Sequence, residues 1–342
     1  ALLDVPLDIA AAALILSAGF VLLAAGQVVP FALAALAGCG AALRRRSDAI
    51  AGVLSAVTLV EPHLGLPVWL AMLFWRPRSR AAALATAAAL ALAGVALVGA
   101  QTFVEYVASV LPAQASAEHA YVYQYGLTYG LASLGAPASA ALLAGEVSYA
   151  VLCAIGVLRS APVAAALNRP EMLAFVPAAC SVIAGPYVHM VDLALAVPAA
   201  LVLATALDGR ARTAAALALL LLAVPWIPAW ITKKLFLATV LIVIVLLWRL
   251  RVDGRIAAAC GAAVAAGLYL LELSPPSPLV STTPGSFSVA DLAQSAWSAY
   301  VAQLQPGTAL WLVVKFPTWI ALATLLCLFF YRQSVRSSPA AA

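Results

Sequence analysis

Charge is the scarcest ingredient of this chain: of its 342 residues, 9% are Asp, Glu, Lys or Arg. A soluble domain carries roughly a quarter, so the polar surface that would cover a globule in water is missing. With 65% of residues hydrophobic and a mean hydropathy of +1.07, bilayer solvent is the consistent reading. Paired cysteines are absent as well. Cys39, Cys153, Cys180, Cys260 and Cys327 stand singly in apolar runs with no C-x-x-C, which argues against a disulfide framework and a cysteine metal site and leaves them as small packing residues. There is no phosphate-cradling glycine loop, no H-E-x-x-H and no G-x-S-x-G, so soluble-enzyme chemistry of those kinds is excluded. No cofactor and no metal is expected.

What charge there is falls in a pattern. The net charge of +5 does not suggest nucleic acid, because the basic residues form short clusters between apolar runs. Arg44–Arg46, Arg76–Arg80, Arg159 with Arg169, Arg210 with Arg212, Arg249–Arg255 and Arg332–Arg336 are all assigned to the cytoplasmic side. Lys233, Lys234 and Lys315 then fall outside, Lys315 reaching the outer headgroups by snorkelling. The expected architecture is an all-α polytopic membrane helical bundle, one transmembrane domain over residues 1–342. About 12 spanning or re-entrant segments are predicted, near 7–25, 28–43, 49–61, 64–75, 81–100, 138–158, 172–185, 188–207, 213–231, 235–248, 255–273 and 308–331. Trp226, Trp230 and Trp311 would form an outer belt, with Trp75 and Trp248 inside.

Outer loops are predicted at 101–137 and 274–307. The pairs 49–75 and 172–207 are too short for two ordinary crossings, so each is read as broken, tilted or re-entrant. Their breaks fall at Glu61-Pro62-His63 and at Gly185-Pro186-Tyr187-Val188-His189-Met190-Val191-Asp192. Non-helical backbone at membrane depth survives only against protein or a watery cavity, so both breaks point to one polar cavity. Gly26-Gln27, Gln124-Tyr125 and Tyr129 lie on the same outer side, with His119 in the first loop. Intramembrane ionisable residues are functional candidates by default. Glu61 and Asp192 are also open to reading as helix caps, His63 and His189 as interfacial residues bonded to carbonyls, and the tyrosines as interfacial aromatics. Glu146, inside a span, is expected to pair with a neighbouring helix.

At these residues the chain resembles glycosyltransferase family 87, within the GT-C superfamily of polyprenyl-phosphate-sugar-dependent transferases that includes mycobacterial mannosyltransferases. Gly26-Gln27 is similar to the family's G-Q segment. Glu61-Pro62-His63-Leu64-Gly65-Leu66, followed by Trp75-Arg76-Pro77-Arg78, resembles its K-P-x-x-x-L stretch and basic loop. Gln124-Tyr125-Gly126-Leu127 resembles a polar loop before a further helix, and Gly185-Pro186-Tyr187-Val188-His189 its S-P-x-x-W-x-H segment. The resemblance covers roughly residues 20–210. Two positions depart from it. Glu61 stands where the family has lysine, and the catalytic aspartate of the first outer loop has no counterpart, since Asp4 and Asp8 precede the first span. An N-terminal portion upstream of Ala1 is therefore expected.

The resemblance implies a GT-C-like fold in a bacterial plasma membrane, multi-pass, and transfer of a sugar (mannose by family analogy) from a polyprenyl-phosphate donor to a glycolipid or glycan acceptor. His189, Asp192 and Glu61 are the candidate catalytic residues, His189 to stabilise the departing phosphate or orient the donor. Gln27, Gln124, Tyr125 and Tyr187 are candidates for sugar hydroxyls, His63 for the donor, Lys233 and Lys234 for lipid phosphate. Two other functions stay open: a transporter or lipid flippase with a broken-helix site, and a non-catalytic subunit of an envelope-synthesis complex.

Overall fold

The structure, a computed structural model, describes residues 6–14, 28–224, 226–227, 233–272 and 309–331. Among them the chain is all-helical. In chain order come α1 Leu7–Leu14, α2 Val29–Arg44, α3 Asp48–Val57 with a 3-10 turn Thr58–Val60, α4 Pro62–Trp75, and α5 Arg80–Val98 entered through the 3-10 turn Pro77–Ser79. Next are α6 Ala100–Glu105 and α7 Leu111–Ala117, joined by a π turn at Tyr106–Val110, then α8 Leu127–Ser133 and α9 Ala138–Leu167. α10 Met172–Ala184, a 3-10 segment Asp192–Ala196 leading into α11 Val197–Ala206, α12 Gly209–Ala223, α13 Lys233–Arg249, α14 Gly254–Glu272 and α15 Ala309–Phe330 complete it.

Among the described residues, three helices are long and apolar enough to cross a membrane: Pro77–Val98, α9, and Trp311–Phe330 within α15. The apolar helices α2, α4 and α10 have 16, 14 and 13 residues. At 1.5 Å per residue they run about 20–24 Å, short of a hydrocarbon core of about 30 Å. Prolines set where two of them stop or start. Pro62 disfavours helix at the residue before it, and Glu61 duly sits at φ −113, ψ 88 between α3 and α4. Pro186 does the same to Gly185, at φ −60, ψ 146, and ends α10.

α10 is the centre of the bundle. Its sequence, MLAFVPAACSVIA, carries no charge and is apolar on every face, the pattern of a helix buried all round. α9, α4, α2, α11 and α15 wall it, and Met172, Phe175, Val176, Ala179 and Val182 are fully buried. α5 is the opposite case: only 6% of its apolar stretch is buried, so almost all of it faces outward.

Several expectations are corrected. The connection 101–137 is itself largely helical, as α6, the π turn, α7 and α8. Arg159 lies inside α9, not in a loop; its guanidinium donates to the Phe329 carbonyl at 2.8 Å and covers the Phe330 ring, satisfying the end of α15. Lys315 does not snorkel. It is fully buried, and its ammonium donates to the Gln124 carbonyl at 2.6 Å. Trp226 and Trp311 are packed inside the bundle at 5% and 6% exposure instead of forming a belt. Glu146 is exposed on α9 with no partner among the described residues.

One glycine sets how closely α9 approaches the loop after α10. A Cβ at Gly145 would collide with Thr128 Oγ1 and come within 2.9 Å of Pro186 Cα, whereas one at Gly261 on α14 meets nothing. Gly145→Ala should therefore lower stability by about 1–3 kcal/mol through overpacking, and Gly261→Ala should leave it unchanged or slightly higher. Unfolding of both variants in detergent checks this; equal behaviour would contradict the close approach.

Candidate functional site

Two irregular segments, 118–125 and 185–192, are clipped together beside the end of α10. The Tyr125 amide donates to the Val188 carbonyl at 2.7 Å and the Met190 amide to the Tyr123 carbonyl at 3.2 Å, a single antiparallel bridge pairing Gln124 with His189. The Gln124 side chain adds a third link by accepting from the Val188 amide at 2.7 Å. Gly126 rests on Gly185, where a Cβ would strike the Gly185 carbonyl oxygen. α15 fastens the clip from behind: Lys315 holds the Gln124 carbonyl, and Trp319 Nε1 donates to the Tyr125 carbonyl at 2.8 Å. The Lys315 ammonium lies 3.1 Å from the centroid of the Tyr129 ring, a cation–π contact.

Glu118 is the focus of the polar groups. Its side chain has no exposure, and burying a carboxylate requires partners. His189 Nε2 lies 2.7 Å from Glu118 Oε2, Gln124 Nε2 donates to the same oxygen at 3.2 Å, and Gln114 Nε2 and the Tyr187 hydroxyl stand 3.4 Å from Oε1. Gln114 also donates to the Tyr187 hydroxyl at 2.8 Å. Asp192 Oδ2 accepts from the His189 amide at 2.7 Å, fixing the backbone turn that presents the imidazole.

In front of this network lies a cavity of about 340 Å³, lined by Glu61, His63, Gln114, Tyr187, His189 and Asp192 together with apolar residues that include Val28 and Leu111. His63 Nδ1 is 3.9 Å from Glu61 Oε2, and His63 Nε2 is 3.7 Å from Asp192 Oδ2. The Tyr149 hydroxyl on α9 holds the His63 carbonyl. His63 Nε2 is itself buried without a hydrogen-bond partner. Tyr187 meets both imidazoles edge-on, at ring separations of 5.7 Å from His63 and 4.5 Å from His189.

These surroundings tune the ionisable groups. Burial alone would discharge His189, but the Glu118 hydrogen bond and the charges of Asp192, Glu118 and Glu61 outweigh it and hold the imidazolium above its ordinary value of 6.5. Burial pushes the Glu61 carboxyl up, against the pull of His63, with Asp192 adding to the rise. Burial and then the nearby carboxylates push the Tyr187 phenol up, so it stays a neutral donor.

Of the residues singled out from the sequence, Glu61, His63, Tyr187, His189 and Asp192 line this one cavity. Glu61 precedes α4 without a side-chain capping bond, while Asp192 does bind a backbone amide. Gln124 sits in the wall behind, spent on Val188 and Glu118. Tyr125 is 2% exposed, lies outside the lining residues, and has its ring beside the Lys315 ammonium of α15 at 5.3 Å. His119 bonds the Ser116 carbonyl and is not among the lining residues. Gln27 lies outside the described residues, and Lys233 and Lys234 are described only as the start of α13. Sequence reasoning missed Glu118 and Gln114. Their spacing of four on a polar stretch is a usable signal; the burial of Glu118 is not. Among the described residues no three His, Cys, Asp or Glu side chains converge as metal ligands.

Comparisons of the chain with family models, with curated proteins and with solved structures return no match.

The Glu118–His189 contact has a sign. A folded value above the unfolded 6.5 means that the stabilisation from His189 is complete below about pH 6.5 and is lost as pH rises through the folded value. Glu61 contributes in the same direction, beginning its loss above 4.5. Glu118→Gln should lower the His189 titration midpoint in NMR of histidine-labelled protein and flatten the fall of stability above pH 6.5; an unmoved midpoint would refute the contact.

Proposed function

We propose that this chain is a multi-pass membrane glycosyltransferase, moving a sugar from a polyprenyl-phosphate donor to a glycolipid or glycan acceptor at its non-cytoplasmic face. The observation that carries the reading is the pairing, on one cavity wall, of the Glu61 carboxylate and the His189 imidazole, whose Nε2 lies 2.7 Å from the buried Glu118 carboxylate. Glycosyl transfer needs both. The acceptor hydroxyl gives its proton to Glu61 as its oxygen bonds the anomeric carbon; the bond from that carbon to the lipid phosphate breaks, and the phosphate keeps the electron pair. His189 meets the charge that grows on the leaving phosphate. His63 Nε2, buried and unbonded, is placed for a donor or sugar oxygen, and Tyr187 for a hydroxyl. Mannose as the sugar, and GT-C as the fold type, rest on the resemblance at Glu61–Leu66 and Gly185–His189.

In this reading α2, α4 and α10 lie in a bilayer of which they cover about two thirds. The cavity lies at their outer ends, where a lipid-borne phosphate arrives sideways and an acceptor from above. A proton-coupled transporter is the second reading, favoured by the Glu118–His189 pair at a break between helices.

The test is transfer from labelled polyprenyl-phosphate mannose by the protein in lipid vesicles. His189→Ala and Glu61→Gln should each reduce it by about a hundredfold to ten-thousandfold. Absence of transfer by the intact protein, together with proton-driven uptake abolished by Glu118→Gln, would favour the transporter instead.

A further inference from the structure

A second pocket lies at the far end of the same helices. It holds about 630 Å³ where three helix ends meet: Arg44 at the end of α2 with Arg46 just beyond it, Arg76 and Arg78 after α4, and Asn168 after α9. Val28 on the polar cavity and Arg44 on this pocket bracket α2, and His63 and Trp75 bracket α4. The two spaces are therefore about 18–24 Å apart along the helix axes.

Arginines at one end of a membrane bundle need no ligand to explain them, since they hold that end on the cytoplasmic side. Their arrangement here goes further. Arg44 is tied at 3.0 Å to Glu171, whose side chain is fully buried and lies 3.6 Å from Arg169. Arg76 Nε stands 3.6 Å from Asp48 Oδ1, and both atoms are buried without a hydrogen bond. Two of the four arginines are thus anchored by internal carboxylates. Arg46 and Arg78 make no ion pair or side-chain hydrogen bond among the described residues. Asp48 and Glu171 are thus spent on Arg76 and on Arg44 with Arg169, while the exposed side chains of Arg46 and Arg78 meet no carboxylate among the described residues in this concave space.

The backbone fixes where the Arg46 side chain emerges. α2 ends in a tight turn, with the Ser47 amide on the Ala42 carbonyl and the Arg46 amide on that of Leu43, and Arg46 at φ 57 where glycine is usual. Trp75, with Nε1 on the Val157 carbonyl at 2.7 Å, forms a fixed flat wall.

We infer that this pocket binds a phosphomonoester, carried either on a lipid headgroup or on a free phosphorylated metabolite. A dianion matches the pair Arg46 and Arg78, which meet no carboxylate among the described residues, guanidinium forks match phosphate oxygens, and the volume of about 630 Å³ suits a small-molecule site of about 300–1,000 Å³. The inference does not rest on the transferase reading.

The experiment uses the whole chain in phosphatidylcholine nanodiscs, with two probes: phosphatidic acid added to the bilayer, and glycerol 3-phosphate added to the buffer. Thermal unfolding is followed against probe concentration for wild type, for Arg46→Gln/Arg78→Gln, and for Arg210→Gln/Arg255→Gln as a control away from the pocket. Because Arg46 and Arg78 have no partners among the described residues, their replacement should leave the fold intact, as unfolding without probe will show. Stabilisation of wild type by either probe, weakened about tenfold or more in apparent Kd only in the Arg46/Arg78 variant, supports the site; a response to phosphatidic acid alone identifies a headgroup, and a response to glycerol 3-phosphate identifies a free phosphate. No stabilisation by either probe, or an equal loss in the control variant, overturns it.

Discussion

A carboxylate with no access to solvent has to be surrounded by donors, and in this chain Glu118 is that carboxylate. Four side chains from separate places turn toward it: Gln114 from α7, Gln124 from the same loop, and Tyr187 and His189 from the loop after α10. Leaving such a charge unpaired in a low-dielectric interior costs several kcal/mol, so the two loops are bound to meet wherever Glu118 is buried. The backbone bridge between Gln124 and His189 and the support from Lys315 and Trp319 follow from that meeting. The cavity is what the clipped loops leave open.

Much of the bundle is written plainly in the chain. Apolar runs divided by arginine clusters mark the helices, and the proline steps Glu61-Pro62 and Gly185-Pro186 mark where two of them break. Those same steps carry Glu61, His63, Tyr187, His189 and Asp192, which is why five candidates chosen from sequence line one cavity. Local backbone chemistry is a short-range property, and short-range properties are legible.

What was not legible is long-range. Nothing near Glu118 in the chain tells that it is buried, because its main partner His189 lies 71 positions away. Nothing near Tyr125 in the chain tells that its ring lies beside Lys315 of α15, nearly two hundred residues on. Lys315 reads as a snorkelling lysine for the same reason: its partner is a backbone carbonyl at Gln124, and carbonyls carry no signature in sequence. Arg159 shows the converse, a charge taken for a loop marker that instead closes the end of α15.

The bundle is thus polarised, with a carboxylate–imidazole cavity at one end of α2 and α4 and an arginine pocket at the other. Both depend on the loops being held where they are, and the Glu118–His189 contact is the keystone at the cavity end. A double-mutant cycle with Glu118→Leu and His189→Phe, read by unfolding in detergent, measures that contact directly. The account predicts that the double variant is less destabilised than the sum of the single ones by about 1–3 kcal/mol. Additivity within about 0.5 kcal/mol would mean that the two side chains do not depend on each other, and the cavity would then need another foundation.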